Sequence, residues 1–167
     1  MLTKFLPGWY IIYTRPLHEK KVASELAKRG LNVFLATTKI LRKWHDRNKI
    51  IDAPLFPSYV FVFLESHGDY FTGKGADGVV NYVKFGNEIA KVNESIVSNL
   101  RIVLDHATNI EVLENIFNVG QHFKITQGSL NGLSCEIAEY KNDKKILVRV
   151  NLLNRTVLAT VSSMNLA

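Results

Sequence analysis

A single cysteine, Cys135, rules out an internal disulfide and suits a reducing cytoplasm. It falls in the middle of a strand-like run, where a small apolar role is usual. A reactive thiol would need an electropositive pocket, and none is visible in the sequence. The first apolar stretch, around Trp9 to Tyr13, is far too short to span a bilayer. No signal peptide is legible, because Lys4 is followed by only a few apolar residues before Arg15. The five histidines, His18, His45, His67, His106 and His122, are scattered without metal-ligand spacing. His45-Asp46 sits in a basic stretch and reads as solvated rather than catalytic. No glycine-rich phosphate loop is present. These absences argue against an enzyme and imply no cofactor or metal.

What is there starts with a core and a charge. The chain has 167 residues, room for one ordinary domain or two small ones, and 47% of them are hydrophobic, enough for a packed interior. The net charge is +6, but it is unevenly spread. Residues 15–49 hold ten Lys or Arg against three Asp or Glu, so this block carries +7 and the rest of the chain −1. Such a block suits contact with phosphate backbones. The plainer alternative is a solvated helix face followed by a solvated hairpin, and the two stand side by side.

The chain is organised around Leu55-Phe56-Pro57-Ser58-Tyr59-Val60-Phe61-Val62-Phe63-Leu64. Pro57 fixes its own φ and biases Phe56 toward an extended shape, so the run reads as a corner entering a strand. Alternation then puts Tyr59, Phe61 and Phe63 on one face and Val60, Val62 and Leu64 on the other. A strand apolar on both faces either lies between two layers or offers one face to a partner.

Around it, Trp9 to Thr14 reads as a first strand. Pro16 suits the first turn of a helix in which Val22, Ala23, Leu26 and Ala27 form one apolar stripe, and Gly30 ends it. Leu31 to Leu41 reads as one long strand and Ile50-Ile51 as its return arm. The basic tip Arg42-Lys43-Trp44-His45-Asp46-Arg47-Asn48-Lys49 lies between them. A short helix near Asp69–Lys74, a strand over Val79–Phe85 and a Gly86-Asn87 turn follow. Asn93 then suits the cap of a helix with Ile96, Val97, Leu100, Val103 and Leu104 on one face. This β-α-β-β-β-α-β-α order predicts an α+β arrangement, an antiparallel sheet with helices on one face. Residues 107–119 read as a linker. Residues 120–167 read as four short strands, at 122–126, 133–140, 146–153 and 156–161. Turns at Gly128–Gly132, Lys141–Lys144 and Asn154 separate them, the pattern of a small barrel.

Four of these features together resemble the NusG family of transcription elongation factors. Trp9-Tyr10 opens the first strand as in that family's amino-terminal NGN domain. Leu55-Phe56-Pro57-Ser58-Tyr59-Val60-Phe61-Val62 is similar to its central Phe-Pro-(Gly or Asn)-Tyr-(Val or Leu)-Phe-Val motif. Tyr82-Val83-Lys84-Phe85-Gly86 ahead of a helix resembles its later strand-turn-helix. Val119-Gly120 to Leu153-Asn154-Arg155, with Gly128 and Gly132 at a turn, resembles a KOW domain. Two departures stand out. Ser58 sits where glycine is common in the general factors. Asn154 sits where many KOW domains carry glycine, although asparagine tolerates left-handed geometry. With the basic helix and hairpin, these departures point toward a specialised bacterial paralogue of the RfaH or UpxY kind.

The resemblance implies an NGN-like domain over 1–106, a linker over 107–119 and an all-β, SH3-like KOW barrel over 120–167. It implies an antiterminator. The NGN domain would bind the clamp helices of RNA polymerase and suppress pausing. The KOW domain would recruit a partner, a small-subunit ribosomal protein or Rho. Carried over residue by residue, the polymerase-binding set is Trp9, Tyr10, Phe56, Tyr59 and Phe61. A core role competes for each of these rings, and for Trp9 the core role is preferred. The non-template DNA strand of the transcription bubble would meet Arg15, Lys20, Lys21 and Lys28, and more loosely Arg42, Lys43 and Arg47, with Trp44 free to stack on a base or to rest on its own strand. The KOW domain is expected in its barrel form rather than as a helical hairpin. The competing reading is a basic nucleic-acid or ribosome-binding KOW protein that makes no polymerase contact.

Overall fold

The computed structural model describes residues 5–106, 108–113, 121–124, 134–140, 143–150, 153 and 155–160. The chain divides into two compact units, Met1–Asn93 and Glu94–Ala167.

In the first unit, β1 (Gly8–Thr14) and β5 (Tyr59–Leu64) form the centre of an antiparallel sheet. Their register sets Trp9 opposite Phe63, Ile11 opposite Phe61 and Tyr13 opposite Tyr59. β2 (Asn32–Phe34) flanks β5, while β6 (Val79–Tyr82) and β9 (Lys91–Val92) flank β1. Because side chains alternate, one face of the sheet carries Tyr10, Ile12, Val60, Val62 and Leu64. These residues join Val22, Leu26, Leu31, Ala76 and Tyr82 in one apolar core. Val22 and Leu26 come from α1 (Glu19–Lys28), whose stripe is the one read from the sequence.

Local chemistry explains where the elements begin and end. The α1 helix starts later than Pro16 suggests, because Leu17 adopts a left-handed backbone (φ 64°) that no helical turn accommodates. At its other end, Gly30 takes φ 87°. The Gly30 N–H donates to the Ala27 carbonyl and the Leu31 N–H to the Leu26 carbonyl, closing the helix with the paired bonds of a Schellman motif. The expected strand over Leu31–Leu41 is broken in two. β2 pairs with β5, but β3 (Thr37–Lys43) pairs only with β4 (Asn48–Pro54). The chain changes partner at Leu35-Ala36, where the Ala36 carbonyl accepts the Leu55 N–H at 2.7 Å. α2 (His67–Lys74) begins earlier than Asp69 because Ser66 and Asp69 form a reciprocal capping box. The expected strand over Val79–Phe85 stops at Tyr82. Beyond it, β7 (Lys84–Phe85) and β8 (Glu88–Ile89) form a hairpin around Gly86-Asn87, and Gly86 has φ 64°.

The second unit opens with α3 (Glu94–His106), with Val97, Leu100 and Val103 buried. Five antiparallel strands follow: β10 (Thr108–Leu113), β11 (Gln121–Lys124), β12 (Ser134–Tyr140), β13 (Asp143–Val150) and β14 (Arg155–Thr160). Their order is β10-β14-β13-β12-β11. The last four fall on the four strands read from the sequence. Two features differ from that reading. The helix expected to close the first domain groups with the second unit, where it lies against β12 and β13. The stretch expected to be linker contains β10, whose backbone groups pair with β14. The turns expected at Gly128–Gly132 and Asn154 lie outside the described residues, as do Lys141 and Asn142, whereas Asp143 and Lys144 open β13.

Candidate functional site

The face of the first sheet opposite α1 and α2 is aromatic. Trp9 meets Phe63 edge-on at 5.6 Å between ring centroids, Phe34 lies 5.7 Å from Phe61, and Phe56 lies 6.1 Å from Phe61. Tyr13 and Tyr59 pair at 5.5 Å at one end of the row. The row is graded in exposure. Trp9, Phe56 and Phe61 are buried, Phe34, Tyr59 and Phe63 are half-buried, and Tyr13 is exposed. Tyr10 sits on the other face because neighbouring strand residues point opposite ways. Its ring lies in the helix-side core, its hydroxyl donates to the Leu6 carbonyl at 2.5 Å, and burial pushes its pKa above the ordinary phenol value. Four of the five residues expected to grip polymerase are therefore buried, three on the aromatic face and one beneath it. Tyr13 and Phe63 complete the accessible row with Tyr59. Tyr13 was legible in principle, since it shares parity with Trp9 and Tyr10 does not.

The turn that delivers Tyr59 is held from two sides. Ser58 has φ 70°, a left-handed conformation that glycine adopts freely and serine does not. The Ser58 N–H donates to Glu19 Oε1 at 2.7 Å, and the Thr14 N–H donates to the Ser58 carbonyl at 2.8 Å. Glu19 is almost wholly buried at the first turn of α1. Its carboxylate thus ties the start of the basic helix to the corner before the aromatic strand.

The basic residues fall into two groups. At the corner between β1 and α1, Arg15 and Lys21 converge on Asp77, with Arg15 Nη2 2.6 Å from Asp77 Oδ1 and Lys21 bonded to Oδ2. The Lys21 hydrogen bond, then the charges of Lys21 and Arg15, hold the Asp77 carboxyl below its ordinary pKa. All three side chains are more than half exposed, so the cluster remains open to water. Asp77 lies 62 residues from Arg15, and no local signal announces it. Lys20 and Lys28 are exposed on the same helix. The second group sits on the β3–β4 hairpin. Every residue from Lys39 to Ile50 is exposed, including Arg42, Lys43 and Arg47, and the Trp44 N–H donates to the Arg47 carbonyl to close the tip. Trp44 itself is 58% exposed, which leaves much of its ring open to solvent.

Against this geometry the known proteins can be set. The family model for NusG, described as transcription termination factor NusG, matches residues 7–101. The chain is similar to the transcription termination/antitermination protein NusG of Lactococcus lactis, at 25% identity over 87% of this chain and 85% of that one. It is also similar to the NusG of Streptococcus pyogenes serotype M3, at 23% identity over 100% of this chain and 99% of that one. Among solved structures, that of Thermotoga maritima NusG, determined for its domain interaction, aligns with a TM-score of 0.49 at 20% identity, covering 93% of each chain. The family match spans the aromatic row, the basic corner and the hairpin alike: this chain belongs to the NusG family.

Proposed function

We propose that this protein is a transcription elongation regulator of the antiterminator kind, working in the cytoplasm by binding rather than by catalysis. Its first unit docks on the clamp helices of RNA polymerase through the aromatic face and suppresses pausing. The basic corner and hairpin hold DNA near the transcription bubble. Residues 120–167, within the second unit, are a KOW-type barrel that recruits a ribosomal protein or Rho. Membership of the NusG family supports this reading, as do relatives named for termination and antitermination. The basic hairpin, and Ser58 in place of glycine, favour a specialised paralogue over a general factor.

The single observation that carries the proposal is the Tyr13–Tyr59 pair. Two large rings stand at the solvent edge of an aromatic row whose centre is buried, directly beside a basic corner. Interface energy concentrates in aromatic anchors set on a packed support, and Trp9, Phe56 and Phe61 supply that support. The test is binding of the full chain to core RNA polymerase. Tyr59→Ala is expected to weaken binding roughly 30-fold, the effect of a hot-spot anchor worth about 2 kcal/mol. That loss should change little with salt. A nucleic-acid or ribosome binder without polymerase contact would ignore the substitution.

A further inference from the structure

The β3–β4 hairpin shows both of its faces to solvent, and the two faces repeat one design. On one face Ile40 stands opposite Ile51 and Arg42 opposite Lys49. On the other Leu41 stands opposite Ile50 and Lys43 opposite Asn48. Moving outward, each face therefore presents an aliphatic pair, then positive charge (two cations on the first face, Lys43 on the second), then the tip with Trp44. Residues 42–49 hold Arg42, Lys43, Arg47 and Lys49 against Asp46 alone. Two features do not help the hairpin fold by itself. Like charges face each other directly at Arg42 and Lys49, an arrangement that destabilises a strand pair. Leu41 and Ile50 also leave 58% and 66% of their surface in water.

A partner with negative walls on two sides removes the charge penalty on both faces at once. A partner helix, a lipid surface or a single strand of stacked bases would engage one face and leave the other face's positive charge in water. The major groove of a duplex offers phosphates to the cations of both faces. It is wide enough to admit a two-stranded ribbon, and phosphates line its two edges. We infer that the β3–β4 hairpin is a ribbon that enters the major groove of duplex DNA. Arg42, Lys43 and Lys49 reach the flanking phosphates, and Trp44 leads. Contacts of this kind, chiefly to phosphate, position the protein without strong sequence preference. The inference rests on the reading above, that the factor works beside DNA, and it assigns the hairpin to the double-stranded part rather than to the displaced strand.

The experiment uses the full chain without polymerase. Affinities are measured by fluorescence anisotropy over a range of salt for a short duplex and for a single strand of the same sequence. The double variant Arg42→Gln/Lys49→Gln removes two cations and relieves their repulsion, so folding is not at risk. Its duplex slope of log K against log salt is expected to fall by about 2, at roughly 0.9 per phosphate contact. Trp44→Ala is expected to lower duplex affinity as well. Single-strand affinity should be unchanged in both. Unchanged duplex binding in the double variant, or an equal fall for single strand and duplex, overturns the inference. Polymerase binding by Tyr59 is scored separately, so its failure would sink the previous reading and leave the hairpin result standing.

Discussion

Glu19 shows how one side chain settles a site. A carboxylate this deeply buried needs a partner, and the Ser58 N–H at 2.7 Å is a strong one because the acceptor is charged. The same bond holds Ser58 in a backbone conformation serine disfavours. Glu19→Ala leaves that N–H without its acceptor and is expected to lower stability by about 1–3 kcal/mol in urea denaturation. Glu19→Gln keeps a carbonyl oxygen in place and should lose less. Equal losses in the two variants would show that the bond itself matters little. In the sequence, Glu19 is legible only as an acidic residue in the first turn of a helix, favourable to the dipole. Its real partner lies 39 residues away, and long-range pairs of this kind leave no local trace. The same holds for Asp77, which draws Arg15 and Lys21 together across the fold. Parity along β1 was legible, and it separates Trp9 and Tyr13 from Tyr10.

Helix α2 and strand β6 meet through a glycine whose role reverses the usual rule. Glycine inside a helix ordinarily costs stability relative to alanine. At Gly73, a methyl group would fall inside the Tyr82 hydroxyl. That hydroxyl is not free to swing away, since it donates to the Tyr70 carbonyl at 3.0 Å while its ring stacks on Tyr70 at 4.7 Å. Gly73→Ala is therefore expected to destabilise by about 1–3 kcal/mol, as overpacking does, despite the better helix propensity. Combining it with Tyr82→Phe should recover part of that loss, a coupling visible in a double-mutant cycle by thermal melts. Additive losses would argue against the steric account. Elements such as these were readable in kind but not in extent. The stripe of α1, the alternation of β5 and the last four strands of the second unit follow from spacing alone. The break at Leu35-Ala36 does not, because it reflects a change of pairing partner rather than a change in propensity. Nor does the strand inside the expected linker, which exists because β14 pairs with it.

The net charge of +6 understates the field this molecule presents, because a +7 block lies within residues 15–49. That block folds into two exposed groups, one on α1 and its corner and one on the hairpin. Arg15 and Lys21, though exposed, are partly neutralised by Asp77, and Lys20, Lys28, Arg42, Lys43 and Arg47 are the other exposed cations of the expected nucleic-acid set. The aromatic row gains its energy from apolar burial, which salt hardly touches, whereas phosphate contacts release counterions and weaken steeply with salt. The two halves of the proposed function should thus separate by ionic strength. With about five phosphate contacts, raising salt from roughly 50 to 200 mM should weaken binding to a nucleic-acid scaffold on the order of 500-fold. Binding to polymerase without nucleic acid should change only a few-fold over the same range. Tyr59→Ala should lower the polymerase affinity while leaving the scaffold affinity and its salt slope intact, because it removes an anchor and no charge. A polymerase affinity as steep in salt as the scaffold affinity would mean that charge, not the aromatic row, carries the docking.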